Sequence, residues 1–155
     1  MRDKRFVAIH RGGPLTKDHH HQLIRWAREC SEHVLSLIHE NINKRLTYAL
    51  KIAKEWEEEK VTVGEARKAS VSAHAVARES SKPIVTAVAR SIGHAVATAH
   101  MADHSLGAAL YALKVVKNVG KSVEAERKWQ SEQLPSEMME LVLTAMNLKE
   151  KHFKI

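Results

Sequence analysis

Apolar positions recur at three- and four-residue steps through most of this chain. Leu23, Trp26, Ala27, Cys30, Val34, Leu37 and Ile38 form one such stripe. That spacing is one face of an amphipathic helix, predicted here from a Thr16 cap to about His39. Asn41 and Asn43 mark a turn, and Leu46, Ala49, Leu50, Ala53 and Trp56 line one side of a second helix. Thr62-Val63-Gly64-Glu65 has the form of a capping box, in which hydroxyl and carboxylate satisfy free amides at a helix start. A third helix is predicted from there to about Glu79, and Pro83 ends it and opens the next.

From Pro83 no breaker occurs until Gly120. A single rod over those 37 residues would run about 55 Å at 1.5 Å per residue. A compact domain of this length is only about 40 Å across. The pattern therefore predicts a break near Asp103-His104-Ser105, with Asp103 or Ser105 as the new cap. Ser122 opens a short helix through Trp129, and Leu134-Pro135 introduces a last one carrying Met138, Leu141, Val142 and Ala145. Residues 1–15 read as an irregular arm closed by Arg11-Gly12-Gly13-Pro14, and 149–155 as a frayed tail. The fold class expected is all-α: one domain over 1–155, an antiparallel helical bundle or array of about six to seven helices.

Composition sharpens this. Aromatic residues are only 5% of the 155, while fourteen alanines fall between Val61 and Leu113. Helices with so many small side chains can approach closely. Ser72-Ala73-His74-Ala75-Val76-Ala77 is echoed by Ile92-Gly93-His94-Ala95-Val96-Ala97, so two adjacent helices are expected to use the same small-residue surface. One echo is too little for a solenoid, which takes about three repeats.

The formal charge is +7, spread as +3 over 1–60, +4 over 61–120 and zero over 121–155. No basic block or interleaved aromatic pattern accompanies it, so it reads as a solvated surface rather than a nucleic-acid footprint. The longest uncharged stretch of the apolar middle, Ser91 to Ala102, is 12 residues, against about 20 for a membrane span. The N-terminus lacks the apolar run of a secretory signal. Cys30 is the sole cysteine and excludes an internal disulfide, so a cytoplasmic protein is expected.

Candidate chemistry rests on histidines. His100 and His104 are spaced i,i+4, His94 and Asp103 lie nearby, and His33 and His74 can approach from other helices. The leading reading is a polar seam, with imidazoles hydrogen-bonded between alanine-rich helices. A metal or small-ligand site is the alternative, because metal sites need three or four converging ligands. No HExxH or paired ExxH unit is present, and no metal or cofactor is implied. His19-His20-His21 reads as surface. Cys30 sits on an apolar stripe, which suits a buried inert thiol. Gly12-Gly13 lacks the preceding strand and following Lys-Ser/Thr of a phosphate loop. Trp26 and Trp56 read as core anchors, and Trp129, in a polar helix, as a candidate partner contact.

The order Arg11-Gly12-Gly13-Pro14-Leu15, Trp26-Ala27, Cys30, Glu32-His33-Val34-Leu35 and Val63-Gly64-Glu65-Ala66-Arg67-Lys68-Ala69 continues through Ala73-His74-Ala75, Gly93-His94-Ala95, Ala99-His100 and Asp103-His104. Leu106-Gly107-Ala108-Ala109, Trp129-Gln130, Leu134-Pro135 and Glu140-Leu141-Val142-Leu143 complete it. In this order, over roughly residues 2–145, the chain resembles the immunity-protein family of bacterial polymorphic toxin systems. The resemblance implies a cytoplasmic protein that neutralises a cognate toxin by binding it, without catalysis. A basic chain suits a nuclease toxin poorly, since such a partner presents a basic cleft. Glu55, Glu57, Glu58 and Glu59 are the acidic cluster on which such docking would have to rest. Histidine-based metal binding and nucleic-acid binding are the alternative functions, and homo-oligomerisation stays open.

Overall fold

The computed structural model describes residues 3–39 and 41–155. They form seven α-helices: α1 (Lys17–Leu35), α2 (Lys44–Glu57), α3 (Val63–Glu79), α4 (Pro83–Ala97), α5 (His104–Asn118), α6 (Val123–Gln133) and α7 (Ser136–Lys149). The chain is all-α, and the described residues contain no strand beyond an isolated bridge between Ala8 and Leu15.

The helix starts follow the local chemistry. Thr16 accepts from His19 N, Thr62 from Glu65 N and Ser122 from Ala125 N, each at 3.1 Å, while Asn43 accepts from Arg45 N at 2.9 Å. Each bond satisfies an amide that has no partner inside its helix. Pro83 takes the first helical position of α4, where its missing N–H costs nothing. Gly120, at φ 78°, closes α5 in the left-handed conformation favoured past a helix end.

Two expectations at helix ends are revised. Helix α1 stops at Leu35 rather than His39, because the Ser36 hydroxyl donates to the His33 carbonyl at 2.9 Å and the chain tightens into three-residue turns. Leu37 and Ile38 still pack on the core from outside the helix. The long rod breaks as expected, over 98–103. Asp103, however, precedes α5 in a helical conformation, makes no side-chain cap, and leaves its Oδ1 buried without a partner. The Ser105 hydroxyl donates to the Ala102 carbonyl at 2.7 Å instead.

The two ends of the chain are also tied down. Phe6, Ala8 and Leu15 of the arm are buried, and Gly13 packs where a Cβ would lie 2.0 Å from the Val7 carbonyl oxygen. Residues 149–155 touch the bundle at two points: Phe153 meets Tyr111 edge-on at 5.0 Å, and the Lys117 ammonium donates to the Lys154 carbonyl at 2.9 Å.

Helix α4 is the hub, packed against α1, α2, α3 and α5. Its pairing with α1 and α3 is antiparallel. Ser70 meets Gly93 while Ala77 meets Thr86, and His20 meets Thr98 while Ser31 meets Ser91. Close approach is set by Ala27, Ala95 and Ala108, which touch at the α1–α4–α5 junction. Buried hydroxyls bridge the same helices: Ser31 donates to Ser91 at 2.8 Å, and Ser91 donates to the Ala108 carbonyl at 2.7 Å. Leu23, Ile24, Val88, Ile92, Leu110 and Leu113 fill the surrounding core.

Candidate functional site

A row of histidines crosses α3, α4 and α5. His74 meets His94 edge-on at 5.2 Å, His94 meets His104 at 5.1 Å, and His104 meets His100 at 5.3 Å. All four rings are half-buried. The internal echo explains the spacing. His74 and His94 each lie over a glycine of the next helix, so a Cβ on Gly93 would come within 2.7 Å of the His74 ring and one on Gly107 within 2.8 Å of the His94 ring. Glycine is needed here for close approach.

Hydrogen bonds order the row. The Arg90 guanidinium donates to His74 Nδ1 at 2.8 Å, which places the His74 proton on Nε2. His94 Nδ1 and His104 Nδ1 are 3.1 Å apart, so one carries the shared proton. Tyr111 stacks on His94 at 5.4 Å. Burial, reinforced by the neighbouring basic groups, lowers His74 and His100 to about 4 and His94 to about 3. These three rings are neutral at neutral pH. His100 Nδ1 and Asp103 Oδ1 are buried without partners, so the seam is incompletely bonded at the α4–α5 turn. Among the described residues no three His, Cys, Asp or Glu side chains are placed to hold a metal ion.

His33 is not part of this row. It lies at the far end of α1, where its Nδ1 donates to Glu126 Oε2 at 2.6 Å and its ring stacks on Trp129 at 3.6 Å. Trp129 is thus half-buried and held flat against α1. Below it Cys30 is fully buried; burial, with Glu126 and Glu29 adding, pushes its thiol well above the ordinary range. Such a thiol supplies no thiolate nucleophile at neutral pH.

The acidic cluster is largely spent inside the chain. Glu57 accepts from Arg25 Nε at 2.7 Å and lies 3.7 Å from Arg28, Glu58 lies 3.5 Å from Lys60, and Glu59 pairs with Lys17. The Lys17 ammonium holds the Glu59 carboxyl below its usual range. Glu55 is half-buried on the same helix end.

Two placements escaped the sequence. His20 is buried, not on the surface, and its Nε2 donates to the Thr98 carbonyl at 2.6 Å. Its ring tilts against Trp56 at 4.8 Å, while His21 meets the same indole edge-on at 5.2 Å. The signal was present: His20 stands three and four residues before Leu23 and Ile24, on the buried stripe. Trp56, read as a core anchor, is half-buried and lines an open cavity.

Comparison with known proteins adds one finding. A family described as "Imm-5 like putative immunity protein" matches residues 13–137, from the end of the arm into the first turn of α7. No curated protein and no solved structure matches the chain.

Proposed function

The chain belongs to the family described as Imm-5 like putative immunity proteins, and on that premise we propose that it binds and neutralises a cognate bacterial toxin, with no catalysis of its own. The observation that carries this reading is the extent of the match, which takes in every helix from α1 to α6. The chemistry agrees with a binding role. The buried histidines are neutral, Cys30 is sealed in the core, and His33 is bonded to Glu126.

Contact through Trp129 fits this reading. Its indole is held by His33, which Glu126 anchors in turn, so little side-chain freedom is lost on binding. Docking through Glu55, Glu57, Glu58 and Glu59 is less favoured, because three of the four carboxylates already face cations of this chain. No helix among the described residues is long and apolar enough to cross a membrane, and we place the encounter in the cytoplasm.

The test is to co-purify this chain with the polypeptide encoded beside its gene, and to co-express the two in a sensitive host. A stable complex and restored growth are expected. Separate elution together with unrelieved toxicity would sink the reading.

A further inference from the structure

Between the N-terminal arm, the start of α1 and the end of α2 lies an open cavity of about 580 Å³. Its inner wall is apolar and aromatic: Leu15, Val61 and Trp56, with His20 set against the indole. At its mouth stand Ile9, 57% exposed, and Val63, 36% exposed, two aliphatic side chains left partly open to solvent. Isolated exposed aliphatics are ordinary, but a pair flanking an aromatic-walled cavity marks a binding surface.

The polar groups narrow the occupant. The His20 side chain is 6% exposed, and its bond from Nε2 to the Thr98 carbonyl leaves Nδ1 as an acceptor. A group entering beside Trp56 therefore meets an aromatic face and an imidazole of the cavity wall. Arg11 lies within electrostatic reach of His20, and His10 and His21 line the cavity. Lys17 also borders the cavity, while Glu59, the carboxylate lining it, is paired with Lys17.

We infer that this cavity is where the toxin docks, receiving a tyrosine or tryptophan side chain whose O–H or N–H reaches His20 and whose neighbours are acidic. The inference rests on the toxin-binding reading above. Tyrosine and tryptophan unite a flat apolar body with a single donor, and they dominate the centres of protein interfaces. Acidic neighbours match the basic rim and the +7 charge of the whole chain. The volume exceeds one side chain and leaves room for the adjoining residues of the same segment.

The experiment is calorimetric titration of the toxin polypeptide encoded beside this gene into the full chain and three variants. Val63→Glu and Ile9→Glu place a carboxylate at the mouth, and Val71→Glu, on the exposed face of α3, is the control. Glutamate at the first position of α3 suits the helix dipole, so Val63→Glu leaves folding intact, as a thermal melt will verify. Both mouth variants should bind about tenfold or more weakly, the loss expected at an interface centre, and the control within about twofold. Affinity of the parent chain should also fall as salt is raised. A parent complex whose affinity survives both mouth substitutions would overturn the cavity assignment and leave the toxin reading standing. The same holds if Val63→Glu dissolves a self-association without weakening the toxin, which would assign the cavity to a second copy. Absence of any complex with the parent chain would instead defeat the toxin reading, and the docking cavity with it.

Discussion

Glu59 holds a backbone conformation that its side chain disfavours. At φ 62° it is the one non-glycine residue with positive φ among those described. It follows the Glu58 cap, with Glu59 N bonded to the Trp56 carbonyl at 2.9 Å and Lys60 N to the Glu55 carbonyl at 2.8 Å. This is the closure in which glycine is the usual occupant, because the left-handed conformation crowds Cβ against the carbonyl. The pair with Lys17 is solvent-exposed and contributes little. Glu59→Gly should therefore raise the melting temperature, by about 2 °C for a chain of this length. Differential scanning calorimetry checks this, and a fall in melting temperature would show the ion pair to outweigh the strain.

At the scale of helices, the histidine row is a packing device. His94 lies on Gly107 because α4 and α5 approach through alanine and glycine, and the imidazole fills what the missing Cβ leaves open. Overpacking typically costs about 1–3 kcal/mol and alanine regains about 1 over glycine in a helix, so Gly107→Ala should destabilise by up to about 2 kcal/mol. In the His94→Ala background the clash should vanish while the helix gain remains, giving a coupling energy of about 1–3 kcal/mol in a double-mutant cycle. Additive effects from urea denaturation would place the ring elsewhere. Much of this architecture was legible in the sequence. Thr16, Thr62 and Ser122 act as caps because capping is decided within four residues, and the broken rod followed from length alone. The echo announced a shared surface but not that the histidines rest on glycines, which depends on interhelical register. Long-range pairs were invisible for the same reason. His33 was grouped with His94 and His100, yet it bonds to Glu126, 93 residues away. His20 was misplaced because three consecutive histidines look solvated, although the stripe through Leu23 and Ile24 runs over the middle one. The acidic cluster looked available only because its partners, Lys17, Arg25 and Arg28, come from another helix.

For the molecule as a whole, the histidines set the response to acid. His74, His94 and His100 titrate in the fold at about 4, 3 and 4, against an ordinary value of 6.5. The cause is chiefly burial, which penalises the charged ring. A base whose folded value is depressed binds fewer protons in the native state than in the unfolded one throughout the interval between the two values. Stability therefore rises with pH across that interval. The contribution is fully present above about pH 6.5, drains away as pH falls toward 4, and is exhausted near 3 as His94 follows. Protonation would also set like charges on rings only about 5 Å apart and break the bond from Arg90 to His74, since both partners would then be donors. Urea midpoints measured from pH 7 down to pH 5 should fall steadily, above the range where ordinary carboxylates titrate. Replacing His74, His94 and His100 together by glutamine should flatten that part of the profile while leaving the steeper loss below pH 4. A midpoint of the parent chain that stays level from pH 7 to pH 4.5 would mean that these rings are solvated and charged, not buried and neutral.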